Sequence, residues 1–181
     1  MIVAVLACAL GTAIPSHASG CFTFADDAGD TALALTGIAD AEPDLDIVGV
    51  QYLTTATHVG ARIEVAQLAT MPAKAPGDVF QIGFTHAGTY VDLFAERLAG
   101  NVVRPSSQPA GLTVTATFDL ATSSVTLTAP LAEVATLAGA STANATLSDL
   151  NAATSADYGT WLGYDEAYPA PGTTYRVGSS C

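Results

Sequence analysis

The stretch Leu112–Leu131, "LTVTATFDLATSSVTLTAPL", decides the fold. Leu112, Val114, Ala116, Phe118 and Leu120 alternate with Thr113, Thr115, Thr117 and Asp119. A period of two marks a strand with one buried side and one solvent-facing side. "ATSS" supplies a turn, and Val125 and Leu127 carry the pattern onto a returning arm. The pair reads as an antiparallel hairpin with a threonine-lined outer face. Directly after it, Leu131, Val134 and Leu137 recur at helical spacing. Pro130 suits the first position of a helix and Gly139 its end, so one short helix is expected near residues 130–138.

Working outward, the same rhythm recurs. "DLDIVGVQYLTT" (44–55) is rich in β-branched and aromatic residues, and "THVGARIEVAQL" (57–68) alternates. The short link between them predicts a hairpin. "ATMPAKAPGD" (69–78) reads as a loop. "DVFQIGFTHAGTYVDLFAERL" (78–98) predicts a further hairpin, with Phe80, Ile82 and Phe84 on one face and a turn at His86-Ala87-Gly88. "NVVRPSSQPAG" (101–111) reads as another loop. Residues 146–181 predict two short strands around a loop from Asp165 to Gly172. Short strands separated by turn residues, with almost no helix, specify an all-β fold. The expected architecture is an antiparallel β-sandwich of jelly-roll or immunoglobulin-like arrangement, filling residues 19–181 as a single domain.

The 181 residues carry 17 Asp and Glu against five Lys and Arg, a net charge of −12. Half of the chain is hydrophobic, which excludes a disordered acidic tail. So acidic a surface repels phosphate backbones, so no nucleic acid partner is expected. It attracts divalent cations. Residues 1–18 read as a secretory signal. An apolar run from Ile2 to Leu10 is followed by small residues and a small-x-small site ending at Ala18. The run is too short to span a bilayer, and no transmembrane span is expected in the mature chain. No Lys or Arg precedes it, which departs from the usual pattern.

With Cys8 removed, Cys21 and Cys181 remain. An even cysteine count in an oxidising compartment predicts a bridge between them. Closing so long a loop contributes roughly 5 kcal/mol in the chain-entropy model. The alternative makes Cys21 the lipidated residue of "ASGC" (18–21), anchoring an envelope protein.

Phe24, Asp26, Gly29 and Asp30 form an "F-x-D-x-x-G-D" opening. "DLDI" (44–47), "PGDVFQIGFTHAGTYV" (76–91), the hairpin above and "GTTYRVG" (172–178) follow in order. This succession resembles the secreted β-sandwich modules of actinobacteria, near the family-9 carbohydrate-binding modules and the DOMON group. The resemblance implies a polysaccharide or cell-envelope partner, with sugar or haem as ligand and calcium as a structural ion in some relatives. Family-9 modules hold sugar ends between two tryptophans. Trp161 is the one tryptophan here, so a tyrosine would have to replace the other.

Two constellations carry candidate chemistry. Asp26, Asp27, Asp30, Asp40, Glu42, Asp44 and Asp46 crowd a stretch without Lys or Arg. A hard cation such as Ca2+ takes six to eight oxygens. Asp27, Asp30, Asp44 and Asp46 are the candidate ligands, provided the first loop folds beside the "DLDI" strand. A solvated acidic loop is the competing reading. The second is "DYGTWLGYDEAY" (157–168), where Trp161, Tyr158, Tyr164 and Asp165 are candidate sugar-binding residues that core packing would equally explain. Haem is not favoured, although Met71, His58 and His86 supply ligand types. No nucleophile elbow, P-loop or H-E-x-x-H motif is present, so the expected function is non-catalytic extracellular binding. A structural or adhesive surface protein without a small ligand is the alternative.

Overall fold

The computed structural model describes residues 21–33, 44–68, 77–143, 145–157 and 162–177. The strands in the first half are β1 (Cys21–Ala25), β2 (Ala32–Leu33), β3 (Ile47–Thr54), β4 (His58–Val65), β5 (Gly77–His86) and β6 (Thr89–Leu98). They are followed by β7 (Val102–Gln108), β8 (Thr115–Asp119), β9 (Ser124–Pro130), β10 (Thr146–Asp157), β11 (Leu162–Ala167) and β12 (Tyr175–Arg176). One helix, α1 (Leu131–Leu137), follows β9 directly. The chain is an all-β sandwich of two antiparallel sheets. The smaller runs β1-β3-β4-β9-β8 and the larger β2-β11-β10-β5-β6-β7, with β12 paired to β10. Among the described residues, no helix is long and apolar enough to cross a membrane. The secretory segment and Cys181, and with Cys181 the expected bridge, lie outside the described residues.

The alternation read from the sequence becomes the core. Val59, Ala61 and Ile63 of β4 face inward with Val125, Leu127 and Ala129 of β9. Phe80, Ile82 and Phe84 of β5 meet them from the other sheet with Val91, Leu93 and Ala95 of β6. Each of the valine, leucine, isoleucine and phenylalanine side chains contributes about 1.5–3 kcal/mol through removal from water.

Two stretches differ from expectation. Residues 102–108 were expected as loop but form β7, an edge strand. Its exposed polar residues hide the alternation, and Pro105 is tolerated because an edge strand needs ladder bonds on one side only. The last third holds two short strands, β11 and β12, around a loop that begins at Tyr168 rather than Asp165, and ahead of them an unexpected long strand, β10. Its register against β5 shifts between Ser148 and Asn151. This bulge breaks the period of two, so the strand does not announce itself in the sequence.

Tyr52 fills that bulge from the opposite sheet. Its buried hydroxyl lies 2.6 Å from the Gly83 carbonyl and 2.7 Å from the Asn151 carbonyl, and accepts from the Asn151 N–H at 3.1 Å. The hydroxyl has one proton, so it donates to one carbonyl at a time. Burial pushes its pKa up, which keeps that proton in place.

A second polar anchor is the Arg97 guanidinium, 2 % exposed. Its Nη2 lies 2.6 Å from Asp78 and 3.7 Å from Asp44, and its Cζ sits 5.5 Å from the centroid of the Phe118 ring. One cation thus offsets two buried carboxylates. Removing it would leave both charges in the interior.

Tyr52→Phe is expected to cost about 1–3 kcal/mol, because the bulge amide of Asn151 loses its acceptor while staying shielded from water. Urea denaturation of wild type and variant measures the loss.

Candidate functional site

Two polar assemblies lie on the larger sheet. The first forms where the loop after β1 meets β11. Gly29 donates its N–H to Asp46 Oδ1 at 2.8 Å, which folds the first loop back over the start of β3. Asp165 is 4 % exposed and spans the same junction. Its Oδ2 accepts from the Ile47 N–H at 2.7 Å and its Oδ1 from the Glu166 N–H at 2.8 Å. The Thr154 hydroxyl, beside it on β10, donates to the Leu45 carbonyl. These bonds bring carboxylate oxygens of Asp26, Asp30 and Asp165 within 4.8 Å of one another.

That spacing fits a hard cation. Ligands on opposite sides of Ca2+, each at 2.3–2.6 Å, lie up to about 5 Å apart. The electrostatics point the same way. Burial, followed by repulsion from Asp30 and Asp26, pushes the Asp165 pKa up to about 6, against the pull of its two backbone donors. Burial likewise raises Asp26, with Asp30, Asp27 and Asp46 adding repulsion. One Asp26 oxygen is shielded from solvent without a hydrogen-bond partner among the described residues, as is the Thr31 hydroxyl. Three carboxylates could hold the ion, with backbone carbonyls and water completing its shell.

The expected ligands are distributed differently. Asp30 enters the cluster. Asp46 shapes the loop through Gly29, Asp27 is exposed outside the group of three, and Asp44 faces Arg97 in the interior. Asp26 and Asp165 complete the cluster. Asp165 was a candidate sugar ligand, and only the pairing of β11 with β10 brings it to the first loop.

The second assembly is a groove of about 480 Å³ on the outer face of the same sheet. Tyr90 and Tyr168 line it, 43 % and 61 % exposed, with Asp149 and Asn151 between them. Along β6, Val91, Leu93 and Ala95 point inward, so Tyr90 must point outward. Its hydroxyl accepts from the Asn151 amide at 2.9 Å. Both groups cross over Gly83, where a Cβ would sit 2.1 Å from the Tyr90 hydroxyl and 2.7 Å from the Asn151 amide nitrogen. A side chain at this position would have to displace the Tyr90 hydroxyl and the Asn151 amide. Asp149 takes the left-handed conformation, φ 49°, at the bulge.

The opposite wall is "YPAPGT" (168–173). Pro171 and Gly172 (φ 78°) occupy the central positions of a turn closed by Thr173 N–H to the Ala170 carbonyl at 3.2 Å. Two prolines stiffen this wall. The Tyr168 hydroxyl donates to Glu166 at 3.0 Å. Both tyrosines have raised pKa values. Desolvation is the largest cause, followed for Tyr90 by the charges of Asp92 and Asp149, and for Tyr168 by its bond to Glu166. They stay neutral hydroxyls at physiological pH.

Of the expected sugar ligands, Trp161 and Tyr158 lie outside the described residues. Tyr164 is half-buried on β11 opposite Ser155, on the outer face. Tyr175 belongs to the core, with its hydroxyl 3.0 Å from that of Thr54. Tyr90 carried a readable signal, since it falls on the polar side of an alternating strand. Asp149 and Asn151 carried none, because the bulge places them.

For haem, Met71 lies outside the described residues. Exposed His58 begins β4 on the smaller sheet, whereas buried His86 ends β5 on the larger. No family model, curated protein or solved structure matches the chain.

A cation at the cluster predicts a melting temperature that rises with calcium and falls with chelator. Asp30→Asn should stabilise the chelated protein by relieving repulsion, and lose most of the calcium response. The pH dependence has a definite sign. The folded pKa of Asp165, about 6, exceeds its unfolded value of 3.8. Its stabilising contribution is therefore full below 3.8 and lost as pH rises through about 6. In chelator, wild-type stability measured relative to Asp165→Asn should fall across that window.

Proposed function

We propose that this protein is a secreted, non-catalytic module that binds carbohydrate on the outer face of its larger sheet. One observation carries the reading: two exposed tyrosines, Tyr90 and Tyr168, flank a groove whose floor presents Asp149 and Asn151. Sugars offer apolar C–H faces that stack on aromatic rings and hydroxyls that bond to carboxylates and amides. The volume suits a few sugar units rather than a drug-like enclosed ligand. Because the walls are built from a β-bulge and a proline-stiffened turn, little ordering is needed on binding. The resemblance to family-9 carbohydrate-binding modules supports the same reading, with Tyr90 and Tyr168 in place of a tryptophan pair.

Calcium has a structural part in this proposal. It would tie the first loop to β11 through Asp26, Asp30 and Asp165, three residues before Tyr168.

Affinity electrophoresis in gels containing soluble polysaccharides tests the function. Retardation on at least one polysaccharide is expected. Tyr168→Ala, at a largely exposed position, should abolish it without lowering the melting temperature. Gly83→Ala should weaken it by displacing the Tyr90 hydroxyl. Migration unchanged by every polysaccharide overturns the carbohydrate reading.

A further inference from the structure

The charges around the groove narrow its ligand. Asp149 lines it, exposed, with its carboxylate 3.2 Å from the Ser148 hydroxyl. Glu166 holds the Tyr168 hydroxyl at the other wall. Asp92 lies across the strand pair from Gly83 beneath the floor, where Gln81 donates to it at 2.7 Å. No Lys or Arg is among the described residues lining the groove. Arg176, exposed on β12 opposite Thr146, belongs to the same sheet but does not line it. Arg104 lies on the far edge opposite Glu96, Arg97 is buried, and Arg62 is on the smaller sheet. Aromatic faces bordered by carboxylates form a surface for cations, because the ring quadrupole and the acid charge attract the same ligand. The same charges repel uronic acids and phosphorylated glycans.

We infer that the groove selects glycans bearing a free protonated amine, such as glucosamine-type oligosaccharides, over neutral or anionic ones. The inference rests on the carbohydrate reading and adds the identity of the sugar substituent. The sugar ring stacks on Tyr168 or Tyr90, and the ammonium group lies against Asp149. An N-acetylated sugar keeps its apolar faces but brings no charge to Asp149, so it binds by stacking and hydrogen bonds alone.

The test is isothermal titration of the full secreted chain with three short oligomers of the same linkage and length. These are β-1,4-glucosamine, β-1,4-N-acetylglucosamine and β-1,4-glucose, at a pH where the amine is protonated. The amine oligomer should bind about tenfold tighter than the other two, with an advantage that shrinks as salt screens the charges. Asp149→Asn removes the charge, and asparagine accepts the left-handed backbone at this position. It should erase the advantage of the amine oligomer over the two neutral ones. Tyr168→Ala should weaken all three. Asp119→Asn, an equal charge change on the smaller sheet, should change nothing.

Equal affinity for amine and neutral oligomers overturns the selectivity and leaves the carbohydrate reading standing. An advantage that Asp119→Asn reduces as much as Asp149→Asn also overturns it, since attraction to the net charge of −12 would then suffice. Failure of all three oligomers to bind, with retention on some other polysaccharide, overturns the selectivity alone. Failure on every polysaccharide overturns both readings.

Discussion

The Tyr52 hydroxyl is the contact on which both halves of this molecule depend. It crosses from the smaller sheet and satisfies backbone groups of Gly83 and Asn151 on the larger one. A bulge frees backbone donors and acceptors that a regular ladder would use. In a closed interior those groups need partners, and a single phenol supplies them. With the bulge held, Asn151 turns outward to Tyr90 and Asp149 adopts its left-handed backbone. The interior therefore sets the shape of the exposed groove.

Charge is placed with the same economy of partners. Among the described cationic residues, Arg97 lies inside, where it faces Asp78 and Asp44. That leaves the surface with a large acidic excess. The acids gather at two places with different consequences. At the loop after β1, three carboxylates converge, and burial together with repulsion raises the proton affinity of Asp26 and Asp165. Such an arrangement relaxes by taking up either a proton or a cation. Around the groove the acids are spread between aromatic rings, with Asp92 bonded to Gln81 and Glu166 to Tyr168.

The legibility of these features in the sequence follows from their range. Alternation at 112–128 and 78–98 is local, so the hairpins and the short helix could be read directly, although β8 begins only at Thr115 and Leu120, expected on the buried side, is exposed in the turn. β7 was hidden because an exposed edge strand has no buried face to advertise. The acidic stretch was visible as composition, yet its partners were not. Asp165 reaches Ile47 from 118 residues away, a distance that only sheet pairing resolves. Asp44 sits two residues from Asp46 and shares its acidity, but it is drawn inward by Arg97. The aromatic reading covered the stretch 157–168, which ends on Tyr168, but took Trp161, Tyr158 and Tyr164 as its candidates. It missed Tyr90, whose partner across the groove comes from a loop nearly eighty residues later.

One strand joins the two acidic places. On β11, Asp165 faces the first loop, and the next residue, Glu166, faces outward and holds the Tyr168 hydroxyl. Neighbouring residues on a strand point to opposite sides, so a single short segment carries both duties. Among the described residues, β11 pairs on the side away from β10 with the two residues of β2. The Asp165 bonds fix its position toward the first loop. Loss of those bonds would loosen the segment that fixes one wall of the groove. A cation at Asp26, Asp30 and Asp165 would oppose that loosening by replacing mutual repulsion with shared coordination. Stability at the cluster and order at the groove are thus linked through four consecutive residues, Asp165 to Tyr168.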